Sequence, residues 1–179
     1  SEFHKDFFKP GQLGVIRVGH DKRTLSQLNG KQRLKRGIYA VVEILEEPQL
    51  TKSTEKSYWE DEGDGNEVRY RVKIRYIKNL LHNPILLDRL NLSGEAYDKY
   101  LIEGQQGSSM PLNPLAFKKL LHIIGGAEQL DFEFNESNNE KYQIEQLEER
   151  YKNSVPEVKE RVSKYIERGT IAQIYKQQL

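Results

Sequence analysis

The residues of this chain that could carry out chemistry are few, and most lack partners. Its histidines are His4, His20, His82 and His122. None stands at metal-ligand spacing from another histidine or from a carboxylate. Ser108 and Ser109 sit in a loop, Gly104 to Pro111, without the strand-to-helix elbow that activates a nucleophilic serine. Glu60, Asp61, Glu62 and Asp64 gather as a calcium loop's acids do, but their spacing and the missing closing glutamate do not match one. There is no Gly-rich nucleotide loop. The absence of cysteine excludes disulfides, thiolate metal sites and cysteine nucleophiles. The pattern argues against catalysis by this chain and implies no cofactor or metal within it.

What remains is the chemistry of binding. Between Arg17 and Arg36, the cations Lys22, Arg23, Lys31, Arg33 and Lys35 face the single acid Asp21. A second basic run follows at Arg69, Arg71, Lys73 and Arg75. Such runs give salt-dependent affinity for phosphates, or are simply solvated faces. Tyr58 and Trp59 offer ring faces for stacking on an unpaired base, or cover an apolar patch. The amides and hydroxyls of Gln105, Gln106, Ser108 and Ser109 can read a base edge, or merely connect two elements. The net charge of +1 conceals this segregation, because acids crowd residues 43–67 and 128–149.

These groups need elements to position them. Leu13 to Val18 reads as a short buried strand after the Pro10-Gly11 turn, and Gly37 to Leu45 as a central strand. Val68 to Ile77 alternates, which predicts one strand with Val68, Tyr70, Val72, Ile74 and Tyr76 on an apolar face and the cations opposite. Residues 95–103 predict a short helix. Asn113-Pro114 opens another, with Leu115, Leu120, Leu121 and Ile124 as its apolar face and Gly125-Gly126 as its stop. Residues 140–152 predict a charged helix. Ser154-Val155-Pro156-Glu157 reads as a helix start, Val158, Val162, Tyr165 and Ile166 as an apolar stripe, and Gly169 as its end. These last helices have no core of their own, which makes them a linker, a docking element or the start of a further domain. With 36% hydrophobic and 31% charged residues, the chain supports one folded domain plus an appendage. No run is long enough to span a membrane and no signal peptide is visible, which fits a cytoplasmic protein.

Pro10-Gly11-Gln12-Leu13-Gly14-Val15-Ile16, then Gly37-Ile38-Tyr39-Ala40-Val41-Val42-Glu43-Ile44-Leu45, then Arg71 to Tyr76, then Gly104-Gln105-Gln106-Gly107-Ser108 before a helix, together resemble an EVE domain. EVE domains belong to the PUA-like superfamily with YTH and ASCH domains. The resemblance covers roughly residues 8–125. It implies an α+β fold: a PUA-like curved β-barrel with short helices around it at residues 1–135, then a C-terminal helical linker at 136–179. It also implies a pocket for a flipped modified cytosine, 5-methylcytosine or 5-hydroxymethylcytosine, in double-stranded DNA. Carried onto this chain, Arg17, His20, Gln105, Ser108 and Ser109 line that pocket. Trp59 and Tyr58 replace the usual opening tryptophan as its wall. Lys22, Arg23, Lys31, Arg33, Lys35 and Arg36 face phosphates. The tail from Pro156 to Gly169 resembles the helical connection into an HNH nuclease in prokaryotic modification-dependent restriction endonucleases. A divalent metal is then expected only in that missing nuclease, and the C-terminal helices are candidates for pairing two copies. The alternatives are a YTH-like reader of methylated adenine and a non-catalytic dimerisation or scaffold domain.

Overall fold

The computed structural model describes residues 6–53, 66–104, 109–132 and 140–177. Its centre is β2 (Gly37–Ile44), buried along its whole length. A continuous apolar run of β-branched residues suits a strand covered on both faces. On one side β1 (Leu13–Val18) pairs with it antiparallel, from Leu13 opposite Glu43 to Val18 opposite Gly37. On the other side lie β5 (Ile74–Asn79) and, end to end with it, β6 (Ile85–Leu86), both antiparallel to β2. β3 (Gln49–Thr51) and β4 (Arg69–Arg71) form a separate two-stranded sheet. The expected barrel is therefore not closed: among the described residues β1 has a neighbour on one edge only.

Val68 to Ile77 is not one strand. The backbone leaves the ladder at Val72 and Lys73, between β4 and β5. In β5 it is Arg75 and Ile77 that face the core, with Ile77 fully buried, whereas Val68 and Tyr76 are 50% and 61% exposed. Arg75 can lie inward because it meets a buried acid there.

Among the described residues five α-helices surround the sheet: α1 (Leu25–Leu28), α2 (Lys99–Ile102), α3 (Pro114–Ile123), α4 (Glu140–Tyr151) and α5 (Pro156–Gln177). α1 carries a capping box, Thr24 and Gln27 each accepting from the other's backbone amide. α3 starts as its sequence predicts, with the Asn113 side chain accepting from the Leu115 amide and Pro114 in the first turn. It ends at Gly125 and Gly126, both at φ 94°. α5 runs on past Gly169, where the sequence suggested a stop.

The helices beyond residue 140 dock on the sheet. Tyr151, Val158 and Val162 share one buried cluster with Val41, Ile77, Phe117, Leu121 and Leu130. Val158 and Val162 of the expected apolar stripe lie in this core, and Ile166 packs against it. Glu43, fully buried on β2, accepts from the Tyr151 hydroxyl at 2.8 Å and pairs with Arg150 and Arg75, each at 2.7 Å. Ser154 does not cap α5; its hydroxyl donates to the Gly11 carbonyl at 2.8 Å. Gly11 is required there. It sits at φ +79°, and a Cβ would lie 1.8 Å from the Arg150 carbonyl oxygen. Arg161 on α5 donates to the carbonyls of Ala127 and Leu130 and lies over the Phe132 ring at 5.2 Å.

Candidate functional site

The open edge of β1 borders a cleft of about 790 Å³. β1 has no strand on this side among the described residues, and the cleft takes lining from both faces of the sheet. Ile16, Val42, Ile44 and Ile74 come from one face, and Leu13, Val15 and Phe117 from the other. The opposite wall comes from residues between Asp98 and Gly104 and between Ser109 and Pro114, and one end is closed by Asn153, Ser154 and Val155, between α4 and α5. Rings come from Phe7, Phe8, Tyr70 and Tyr100. The size lies within the roughly 300–1,000 Å³ of small-molecule sites, and apolar walls with few polar groups are typical of such sites.

Asp98 fixes the wall. Its buried carboxylate accepts from the amides of Leu101 at 2.8 Å and Asn113 at 2.7 Å. One side chain thereby caps α2 and ties it to the start of α3. Its acceptor capacity is spent on the fold. Ser109 differs: its hydroxyl oxygen is buried and has no hydrogen-bond partner among the described residues. A buried hydroxyl without a partner costs stability, and its position beside the cleft gives it a donor and an acceptor for a bound group.

Arg17 lines the same cleft, at the far end of β1. Its Nε donates to the Leu101 carbonyl at 2.6 Å and its Nη2 reaches the Ile102 carbonyl at 3.4 Å. Arg36 donates to that same Ile102 carbonyl at 2.9 Å. The last carbonyls of α2 therefore receive two guanidiniums. Burial first, and then the neighbouring Arg36 charge, hold the Arg17 pKa below its ordinary value.

Of the other residues expected in the pocket, His20 is exposed just beyond β1 and does not line the cleft. Tyr58, Trp59, Gln105 and Ser108 lie outside the described residues. The cations expected to face phosphates divide. Arg23 is engaged by Asp21 through two bonds, at 2.9 and 2.6 Å, and Arg33 donates to the Asp21 carbonyl at 2.7 Å. The Asp21 carboxylate, which also accepts from the Leu34 amide, is held well below the usual range, chiefly by Arg23. Asp21 is thus the organiser of this loop, and Arg23 is spent on it. Lys22, Lys31 and Lys35 are exposed and form no ion pair among the described residues.

Sequence reasoning missed the pairing of Arg17 with Arg36, the Asp98 tether and the contribution of Asn153 to Val155. Only Asp98 left a local trace, an aspartate three residues before Leu101 at a helix start. No group of three or more metal-ligating side chains occurs among the described residues, and none of their helices is long and apolar enough to cross a membrane.

Comparison with known proteins returns one family, the EVE domain, whose model matches residues 27–123. No curated protein and no solved structure matches the chain. The matched span holds β2 to β6, α2 and α3. β1 and the Asn153–Val155 end of the cleft lie outside it.

Proposed function

Since the chain belongs to the EVE domain family, a PUA-like module that binds nucleic acid and is not catalytic, we propose that its cleft receives a modified cytosine flipped from double-stranded DNA. The observation that carries this reading is the buried, unpartnered Ser109 hydroxyl beside a ring-lined cleft along the free edge of β1. Flipping costs a few kcal/mol of stacking and pairing, which apolar walls and an edge hydrogen bond offset. A buried methyl group adds only about 0.8 kcal/mol, about fourfold in affinity. Strong discrimination therefore needs a polar group such as Ser109, or a tight fit around the modification. In the same reading the exposed Lys22, Lys31 and Lys35 attract the phosphate backbone, and Trp59 with Tyr58, Gln105 and Ser108 completes the pocket. The module supplies specificity to a modification-dependent restriction endonuclease, as the tail's resemblance suggests, and any metal belongs to the nuclease.

The test is equilibrium binding to one short duplex carrying cytosine, 5-methylcytosine or 5-hydroxymethylcytosine, beside a single-stranded RNA carrying methylated adenine, at fixed salt. The expected result is preference for a modified duplex, reduced in Ser109→Ala. Equal binding to the three duplexes refutes the reading, and preference for the RNA replaces it with the YTH-like alternative.

A further inference from the structure

Arg17 and Arg36 are held by neutral carbonyls alone. No acid among the described residues pairs with either. The nearest candidate by sequence, Glu103, is engaged elsewhere: the Tyr97 hydroxyl donates to it at 2.6 Å. Asp98 is spent on two amides. Two like charges meet at one carbonyl, and no carboxylate among the described residues forms a hydrogen bond or ion pair with either.

The Arg17 guanidinium is also gripped. A Cβ at Gly19 would lie 2.9 Å from its Nη1, and one at Gly104 would lie 2.9 Å from Nη2 and 3.0 Å from Nη1. Both flanking positions are glycine, and Gly104 has φ +82°. The backbone therefore closes on the guanidinium from two sides, while two carbonyls fix its rotation. Its Nη1 bonds to none of the described residues. A planar fork immobilised with a donor to spare is the arrangement that recognises a phosphate, because little side-chain entropy remains to be lost on binding.

We propose that Arg17 and Arg36 form an anion site for one backbone phosphate of the strand whose base enters the cleft. The site rests on the proposed nucleic-acid reading for its ligand but not for its chemistry. It moves Arg17 from base recognition to strand positioning. A phosphate shared by the two guanidiniums removes their repulsion and sets the distance at which the adjacent base meets Ser109.

The experiment has two arms. In the first, arginine Nε–H signals are followed by NMR while inorganic phosphate is added to the whole chain. The Arg17 and Arg36 signals are expected to move together along one saturation curve, and Arg36→Gln, an exposed substitution, is expected to weaken the response of Arg17. In the second, affinity for a modified duplex is measured against salt. Arg36→Gln is expected to lower the slope of log K against log salt by about 0.9 and to leave the ratio of modified to unmodified binding unchanged. Arg17→Lys keeps the charge but loses the fork, so it is expected to weaken binding while keeping the slope. Signals that ignore phosphate, or an unchanged slope in Arg36→Gln, overturn the proposal. So does a loss of modified-base preference with the slope intact. If phosphate moves both signals but no duplex is preferred, the anion site stands and the modified-cytosine reading falls.

Discussion

The phenol of Tyr151 provides the sharpest test of how the C-terminal helices are held. Tyr151→Phe removes one oxygen from a fully buried ring. It leaves the edge-on contact with Phe132, at 5.4 Å and 81°, and the Arg150 guanidinium 5.6 Å from the ring centre. The loss is one hydrogen bond of 2.8 Å to the buried Glu43 carboxylate. Bonds to a charged group contribute about 1.5–3 kcal/mol. The urea midpoint at neutral pH should fall accordingly without a change in m, and the melting temperature by about 3–12 °C for a chain of this length. A second readout isolates the phenol. Burial, then the Glu43 charge, raise the Tyr151 pKa above its ordinary value. A raised phenol pKa favours folding below the unfolded value of about 10 and loses that contribution as pH rises beyond it, because the unfolded phenol ionises first. The stability gap between the natural chain and Tyr151→Phe should therefore narrow above pH 10, by at most about 1.4 kcal/mol per pH unit. A gap below about 0.5 kcal/mol at neutral pH, or one that stays constant through the alkaline range, refutes the reasoning, since an ordinary surface substitution would do the same.

Other consequences are as direct. Gly11→Ala puts a methyl group on the Arg150 carbonyl in left-handed backbone and should cost about 2–5 kcal/mol in urea denaturation, with α4 the first element to lose amide protection. The Leu34 amide, bonded to the depressed Asp21 carboxylate, should be protected from hydrogen exchange above about pH 4 and lose that protection as pH falls further, because protonating Asp21 releases both Arg23 and Leu34. If Trp59 supplies a stacking wall, Trp59→Ala should weaken binding to a modified duplex by about 1–3 kcal/mol and leave the unmodified duplex nearly unaffected. Equal losses on both duplexes would assign Trp59 to the fold.

Much of the frame was legible along the chain. Leu13 to Val18 and Gly37 to Ile44 are strands because their apolar runs leave no other burial, and Asn113-Pro114 and Gly125-Gly126 bracket α3 by local backbone chemistry. The basic alternation from Arg69 to Arg75 was deceptive for a physical reason. Arg75 lies inward because the buried Glu43 awaits it, and that partner cannot be read from Arg75's own strand. The helices after residue 140 looked coreless because their apolar residues complete someone else's core, that of Val41 and Ile77. In the cleft, Arg17 and Ser109 are residues that the family resemblance carried to a pocket, and both are among its lining. The carbonyl that unites Arg17 with Arg36 comes from the end of α2, 66 residues beyond Arg36, a separation over which no local pattern speaks.

The buried Glu43 has one more implication. The span shared with the family, residues 27–123, contains this carboxylate and Arg75 but neither Arg150 nor Tyr151, and it lacks β1 altogether. Cut at those borders, the polypeptide would keep an acid in its interior with half its counter-charge removed and its main sheet short of a strand. The matched span therefore holds only part of the core that buries Glu43. The stretches that flank it supply the cleft's edge strand and its closed end.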